Sequence, residues 1–161
     1  MLAVCLEEFF RTGVLGEISL GMSRESVSSL LGSPDLWGPS NAKNVETATI
    51  WKYGDIEFYF SRADQLFQIF SDDFEIPTGG KTLHIDPWVI HDKMLAETLK
   101  AALDDARIPF TVQDVPTLPG VIQIVTAGNV RLMCRIELEP DDDFEELGLF
   151  SFCLSDYSLL S

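Results

Sequence analysis

The chain has 161 residues, 46% of them hydrophobic and 11% aromatic, with a formal net charge of −15. That composition supplies a hydrophobic core for one domain, or for two small halves packed together, and excludes disorder of the whole chain. The acidic excess excludes a surface for nucleic acid or an anionic bilayer, since both need Lys and Arg to neutralise phosphate; a basic protein partner suits the same field, and the plain alternative is acidity that serves solubility alone.

In chain order, "AVCLEEFFR" (3–11) reads as a short helix with Leu6, Phe9 and Phe10 on one side, stopped by Gly13. "LGMSRESVSSLLGSPDLWG" (20–38) carries a second helix. Ser23 is its N-cap, Glu25 lies near its positive end, and Met22 has the spacing to staple onto Val27. Val27, Leu30 and Leu31 mark the buried face, Gly32 takes the left-handed stop, and Pro34 prevents a restart. The period then changes to two. "TATIWKY", "IEFYF" and "LFQIF" predict a meander of three strands, with a turn at Gly54-Asp55 and a linker at "PTGG" (77–80).

The second half follows the same plan. "DKMLAETLKAALDDARIP" predicts a helix capped by Asp92, with Leu95, Leu99 and Leu103 one turn apart. "FTVQDV", "GVIQIVTAGNVRLMCRIEL" and "LGLFSFCLS" predict strands, with Val130, Leu132, Cys134, Ile136 and Leu138 on one face of the strand after Gly128-Asn129. Each half has a strand, a Gly-Asp or Gly-Asn corner, an alternating strand and a strand opening with Leu-Phe. The expected fold is therefore α+β: two helix-plus-antiparallel-meander halves, residues 1–80 with two helices and residues 81–161 with one, in one compact unit. Low identity between the halves leaves open whether this internal repeat is a duplication or ordinary meander grammar.

Chemistry-bearing residues are sparse. His84, Asp86, His91 and Asp92 in "LHIDPWVIHD" are the best metal or catalytic candidates, but they fit no zinc spacing and Pro87 breaks their regularity. No serine lies in a nucleophile elbow, Gly79-Gly80 lacks a phosphate-loop ending, and Cys134 sits on an apolar strand face. The expectation is no enzyme, no cofactor and no metal. The acidic run "EPDDDFEE" lacks a calcium-loop pattern; Asp141, Asp142, Asp143, Glu145 and Glu146 read as a solvated hairpin loop or as a contact for a basic partner. Trp37, Lys52, Tyr53 and Tyr59 are candidate partner-binding residues, because aromatics often anchor interfaces; covering of that face by the second half is the alternative. Cys5, Cys134 and Cys153 form no disulfide framework, and "LAVC" at 2–5 lacks the charged and apolar regions of a leader, so a cytoplasmic, reducing location is expected.

Gly21-Met22-Ser23, Leu30-Leu31-Gly32-Ser33-Pro34 and Trp51-Lys52-Tyr53-Gly54 together resemble the entry signature of the β-lactamase-inhibitor-protein-like fold, shared with small outer-membrane assembly lipoproteins. The resemblance spans residues 16–60, about a third of the chain. It implies a helix-plus-sheet layer, in tandem if repeated, with a sheet face open to proteins. The relatives that act as inhibitors are secreted and disulfide-bonded, which this chain does not match. In character it also resembles the acidic immunity proteins of bacterial toxins. The functional expectation is a non-enzymatic protein-binding protein of immunity or inhibitor type. Two alternatives remain: a small ligand- or metal-binding module or enzyme using a cleft between the halves, and a structural homo-oligomer.

Overall fold

The computed structural model describes residues 1–138, 140 and 146–160. In chain order the elements are β1 (Leu2–Cys5), α1 (Leu6–Thr12), α2 (Arg24–Leu31), β2 (Leu36–Gly38), β3 (Ile50–Tyr53), β4 (Ile56–Phe60), β5 (Leu66–Ser71), β6 (Leu83–Asp86), α3 (Ala96–Asp105), β7 (Phe110–Asp114), β8 (Val121–Thr126), β9 (Arg131–Arg135) and β10 (Gly148–Ser155), closed by a 3-10 turn at Tyr157–Leu160. Eight strands form one sheet in the order β2-β3-β4-β5-β10-β9-β8-β7, antiparallel throughout, and β1 pairs with β6 in a small parallel sheet. The fold is α+β.

Each half is a helix followed by a four-stranded meander: α2 then β2 to β5, and α3 then β7 to β10. The meanders join through their last strands. Phe70 pairs with Cys153, Ile69 with Leu154, and Ser71 with Phe152. These pairs are symmetric about a local two-fold axis between Phe70 and Cys153, which equates Ile69 with Phe152 and Ser71 with Leu154. The symmetry extends to the next strand pair. In β4–β5, Glu57, Phe58, Tyr59 and Phe60 face Phe70, Ile69, Gln68 and Leu66, leaving Phe67 as an extra residue. In β9–β10, Arg131, Leu132, Met133 and Cys134 face Cys153, Phe152, Ser151 and Leu149, leaving Phe150 extra. The two Leu-Phe openings are thus two equivalent bulges. In each the Leu enters the core and the extra residue locally bends the strand.

Alternation places one face of the sheet inside. Trp51, Tyr53, Ile56, Phe58, Phe60, Leu66 and Ile69 from the first meander share one core with Ile122, Ile124, Leu132, Cys134, Leu149, Phe152 and Leu154 from the second. α2 covers this face with Val27 and Leu31, and α3 with Leu99 and Leu103. Over the centre, Phe9 and Phe10 of α1 meet the ring of Phe152 at 6.4 and 5.9 Å. The C-terminus of α1 abuts the β8–β9 corner, where Gly128 N–H donates to Phe10 O at 2.9 Å. A Cβ on Gly13 would lie 2.5 Å from Gly128 O, so the closeness of this contact requires glycine.

The second helix keeps its expected N-cap, for Ser26 N–H donates to the Ser23 hydroxyl at 3.2 Å; Gly32 ends the helix at a positive φ of 71°, but its ψ of −164° lies outside the left-handed helical conformation expected of it. Other expectations change. Residues 2–5 are extended, because their backbone pairs in parallel with Leu83–Asp86, so the first helix starts only at Leu6. The first meander gains a fourth strand at Leu36–Gly38. Asp92 does not cap the later helix. Asp92 N–H donates to Glu75 O and Lys93 N–H to Leu149 O, which commits both amides to a turn with Lys93 at φ 64°, and the helix begins at Ala96 without a side-chain cap. "PTGG" is not a free linker, for Pro77 and Gly79 are buried and Thr78 donates through N–H and Oγ1 to Asp55 Oδ2. Ile136 and Leu138 are exposed, since β9 ends at Arg135 and the next two amides turn to Gly120 O.

Candidate functional site

α1, α2, α3 and the small parallel sheet contribute their apolar side chains to the inner core. Among the described elements, the terminal 3-10 turn Tyr157–Leu160 is what packs on the opposite face of the eight-stranded sheet, through Tyr157 against Phe67, and it leaves the rest of that face open. One row of paired residues crosses that open face from edge to edge: Leu36, Lys52, Glu57, Phe70, Cys153, Arg131, Val125 and Thr111. A neighbouring row carries Ile50, Tyr59, Gln68 and Ser155. Strand alternation forces these side chains outward, because their neighbours in sequence point into the core.

The first-half side of this face is aromatic. Tyr59 meets Phe67 at 6.3 Å and Phe70 at 6.5 Å between ring centroids, both edge-on. Tyr157, from the terminal 3-10 turn, lies 6.3 Å from Phe67 and donates its hydroxyl to Gln68 Oε1 at 3.1 Å. All three partly buried rings keep an outer surface, and Tyr157 is 59% exposed. The bulge is what places Phe67 here beside Gln68, both between the inward Leu66 and Ile69.

Charge on the same side is negative. Tyr59 donates its hydroxyl to Glu57 Oε2 at 2.7 Å, and Lys52 Nζ lies 3.8 Å from Glu57 Oε1. Burial and the Glu57 carboxylate push the Tyr59 phenol well above its ordinary value, so it stays a donor. Asp72 follows β5. Burial, then the charges of Glu57 and Asp73, hold its carboxyl above the ordinary carboxylate range, while Lys52 acts in the opposite direction. Across the two-fold axis the chemistry is reversed. Arg131 stands where Glu57 stands in the first half, and its Nη2 donates to the Ser155 hydroxyl. Arg135 lies 5.7 Å from the centroid of Phe150, the equivalent of Phe67.

The residues expected to bind a partner do not all come together. Lys52 and Tyr59 share the open face. Tyr53 does not: it is fully buried, its hydroxyl donates to Gly32 O at 2.7 Å, and burial followed by the Asp35 charge raises its phenol. Strand parity is the reason, since Tyr53 alternates with Trp51 toward the core. Trp37 pairs with Trp51 and so lies on the helix side, at the sheet edge, 51% exposed. Glu146 is exposed and 3.3 Å from Lys93 Nζ. Asp141, Asp142, Asp143 and Glu145 lie outside the described residues. Glu57, Phe67, Phe70 and Asp72 belong to the face and were missed by the sequence reading. Alternation in "IEFYF" carries the signal for Glu57; the bulge obscures it for the others.

The remaining candidates for chemistry are dispersed. His84 and Asp86 are exposed on β6, and His91 Nδ1 lies 2.9 Å from Asp92 O. Among the described residues no group of three or more His, Cys, Asp or Glu side chains could hold a metal ion. Cys134 is buried, and loss of hydration pushes its thiol up to about 12, leaving it protonated at neutral pH. Among the described residues no helix is long and apolar enough to cross a membrane. No family model, curated protein or solved structure matches the chain.

Proposed function

We propose that this is a non-enzymatic protein of the inhibitor or immunity kind, working in the cytoplasm, and that it binds another protein through the open face of its eight-stranded sheet. The observation that carries the reading is the aromatic cluster of Tyr59, Phe67, Phe70 and Tyr157, left outside a core that has already absorbed the apolar faces of α1, α2 and α3. Partly exposed aromatic side chains on a rigid sheet give large contact area at small conformational cost, the property of interface anchors. The acidity of the chain favours a basic partner and speeds the encounter.

The reading is tested by capture of a partner from an extract of the protein's own source. Tyr59→Ala and Phe70→Ala should each weaken capture by about tenfold or more, equivalent to about 1.4 kcal/mol. Ser29→Ala and Thr98→Ala, on the exposed sides of α2 and α3, should leave it unchanged. Equal capture by all four variants, or loss only with the helix variants, would contradict the reading.

A further inference from the structure

We infer that the first-half side of the open face receives a cationic side chain, arginine or lysine, from the protein that docks there. This rests on the open face being the binding surface and adds what the partner must bring to it.

The argument comes from the two-fold relation between the meanders. Equivalent paired positions share a place in the strand register, so a difference in side chain there separates chemistry from architecture. In the second half the open face supplies its own cations. Arg131 bonds the Ser155 hydroxyl, and Arg135 lies over the ring of Phe150. The register puts Glu57 where Arg131 would be, and the same two-fold relation, carried one residue past the end of β5, puts Asp72 where Ser155 would be. Ser61 takes the place of Arg135 one residue after β4, so Phe67 receives no equivalent guanidinium. An arginine–serine pair in one half is therefore a carboxylate–carboxylate pair in the other.

The surroundings of that pair are short of positive charge. The charges of Glu57 and Asp73 raise the Asp72 carboxyl, Lys52 opposes them, and Lys52 Nζ lies 3.8 Å from Glu57 Oε1. The Tyr59 hydroxyl satisfies one oxygen of Glu57 but carries no charge. The rings of Tyr59 and Phe70 flank Glu57, the first through its hydroxyl bond and the second as its cross-strand partner. Carboxylate oxygens with an aromatic wall suit a guanidinium or ammonium, which gains charge-assisted hydrogen bonds from the former and attraction to the ring faces from the latter. The fold already uses the same combination inside itself: Arg24 is 2.6 Å from Asp64 Oδ1 and its guanidinium lies 4.8 Å from the centroid of Phe60. An anionic or purely apolar segment would leave Glu57 and Asp72 desolvated with Lys52 to offset both charges, which is costly.

The test uses the isotope-labelled full chain and two synthetic probes: a Gly/Ser peptide carrying one arginine, and the same peptide with citrulline, which keeps the shape and loses the charge. The arginine peptide should shift the amide signals of Lys52, Glu57, Tyr59, Phe70 and Asp72, and the citrulline peptide should not. Glu57→Gln and Asp72→Asn should each weaken binding several-fold. The double variant Glu57→Arg, Asp72→Ser, which installs the chemistry of the second half, should abolish it. The same spectra report whether each variant is folded. Shifts spread over carboxylates elsewhere on the surface, or unchanged affinity in the variants, would mean that only the overall charge attracts the peptide and would overturn the inference. So would equal binding of the citrulline peptide. A partner that needs Tyr59 and Phe70 but tolerates the double variant would overturn the cationic anchor and leave the protein-binding reading intact. A partner indifferent to Tyr59 and Phe70, with the arginine peptide still bound, would remove the reading and leave the local chemistry.

Discussion

The two meanders have one backbone plan and opposite surfaces. Inward, Phe58 and Leu132, Phe60 and Cys134, Leu66 and Leu149 occupy equivalent buried places. Outward, Glu57 and Asp72 in one half answer Arg131 and Ser155 in the other. The core requires only apolar volume, so it tolerates a change of residue as long as the sheet is covered. The outer face carries no such packing demand, so its divergence is where function is most readable.

The largest expected effects test whether the halves share a core. Phe58→Ala should cost about 3–5 kcal/mol and Leu132→Ala about 2–5 kcal/mol, the ordinary range for such cavities. Both should lower a single unfolding transition, because Phe152 touches Phe9, Phe10 and Phe74 from other parts of the chain. Two separate transitions in calorimetry, each moved by one substitution, would show that the halves unfold independently.

Gly128→Ala comes next. Its Cβ would meet the backbone of Gly13 and Phe10 where α1 abuts the corner. A cost of about 1–3 kcal/mol is expected from overpacking. A neutral result in denaturant melts would mean that α1 does not press on the β8–β9 corner.

The helices differ in their caps, and the signs should differ with them. Ser23→Ala removes the bond to Ser26 N–H and should cost about 1 kcal/mol. Leu95 is an N-cap with no side-chain bond and is 55% exposed, so Leu95→Ser should stabilise α3 by about 0.5 kcal/mol. Loss of stability in both variants would show that Leu95 contributes more by packing than a cap would restore.

What was legible in the sequence is what depends on neighbours in sequence. Ser23, Gly32 and Pro34 announce a helix and its end because capping is decided within a few residues. The strand corners at Gly54-Asp55 and Gly128-Asn129 are equally local. Residues 3–5 read as helix because the pairing of β1 with β6 lies about half a chain away, and Asp92 reads as a cap because its competing bond to Glu75 O comes from residues distant enough to leave no local signal. For the face, parity in "IWKY" already groups Tyr53 with the buried Trp51 and apart from Lys52. The Leu-Phe repeat was visible, yet its meaning was not. Only the register shows that Phe67 and Phe150 are bulged residues, and that Glu57 and Arg131 are equivalents of opposite charge.

The smallest effect concerns the carboxylate pair. Asp72 has its folded pKa raised, so ionisation opposes folding there. That penalty is fully present above the folded pKa and disappears as pH falls below the unfolded one. Asp72→Asn should therefore stabilise the protein slightly at neutral pH, by no more than about 0.5 kcal/mol given the exposure of the group, and the gain should vanish in acid. A gain that grows as pH falls would contradict the crowding of Glu57, Asp72 and Asp73.

The most direct measurement of the central claim is an interface map of the complex, in which saturation passes from a protonated partner to the amides of the deuterated chain. The account predicts transfer to Lys52, Glu57, Tyr59, Phe67, Phe70 and Asp72 on the open face, with α2 and α3 silent. Transfer concentrated on Arg24–Leu31 or Ala96–Asp105, with the sheet face unaffected, would contradict it.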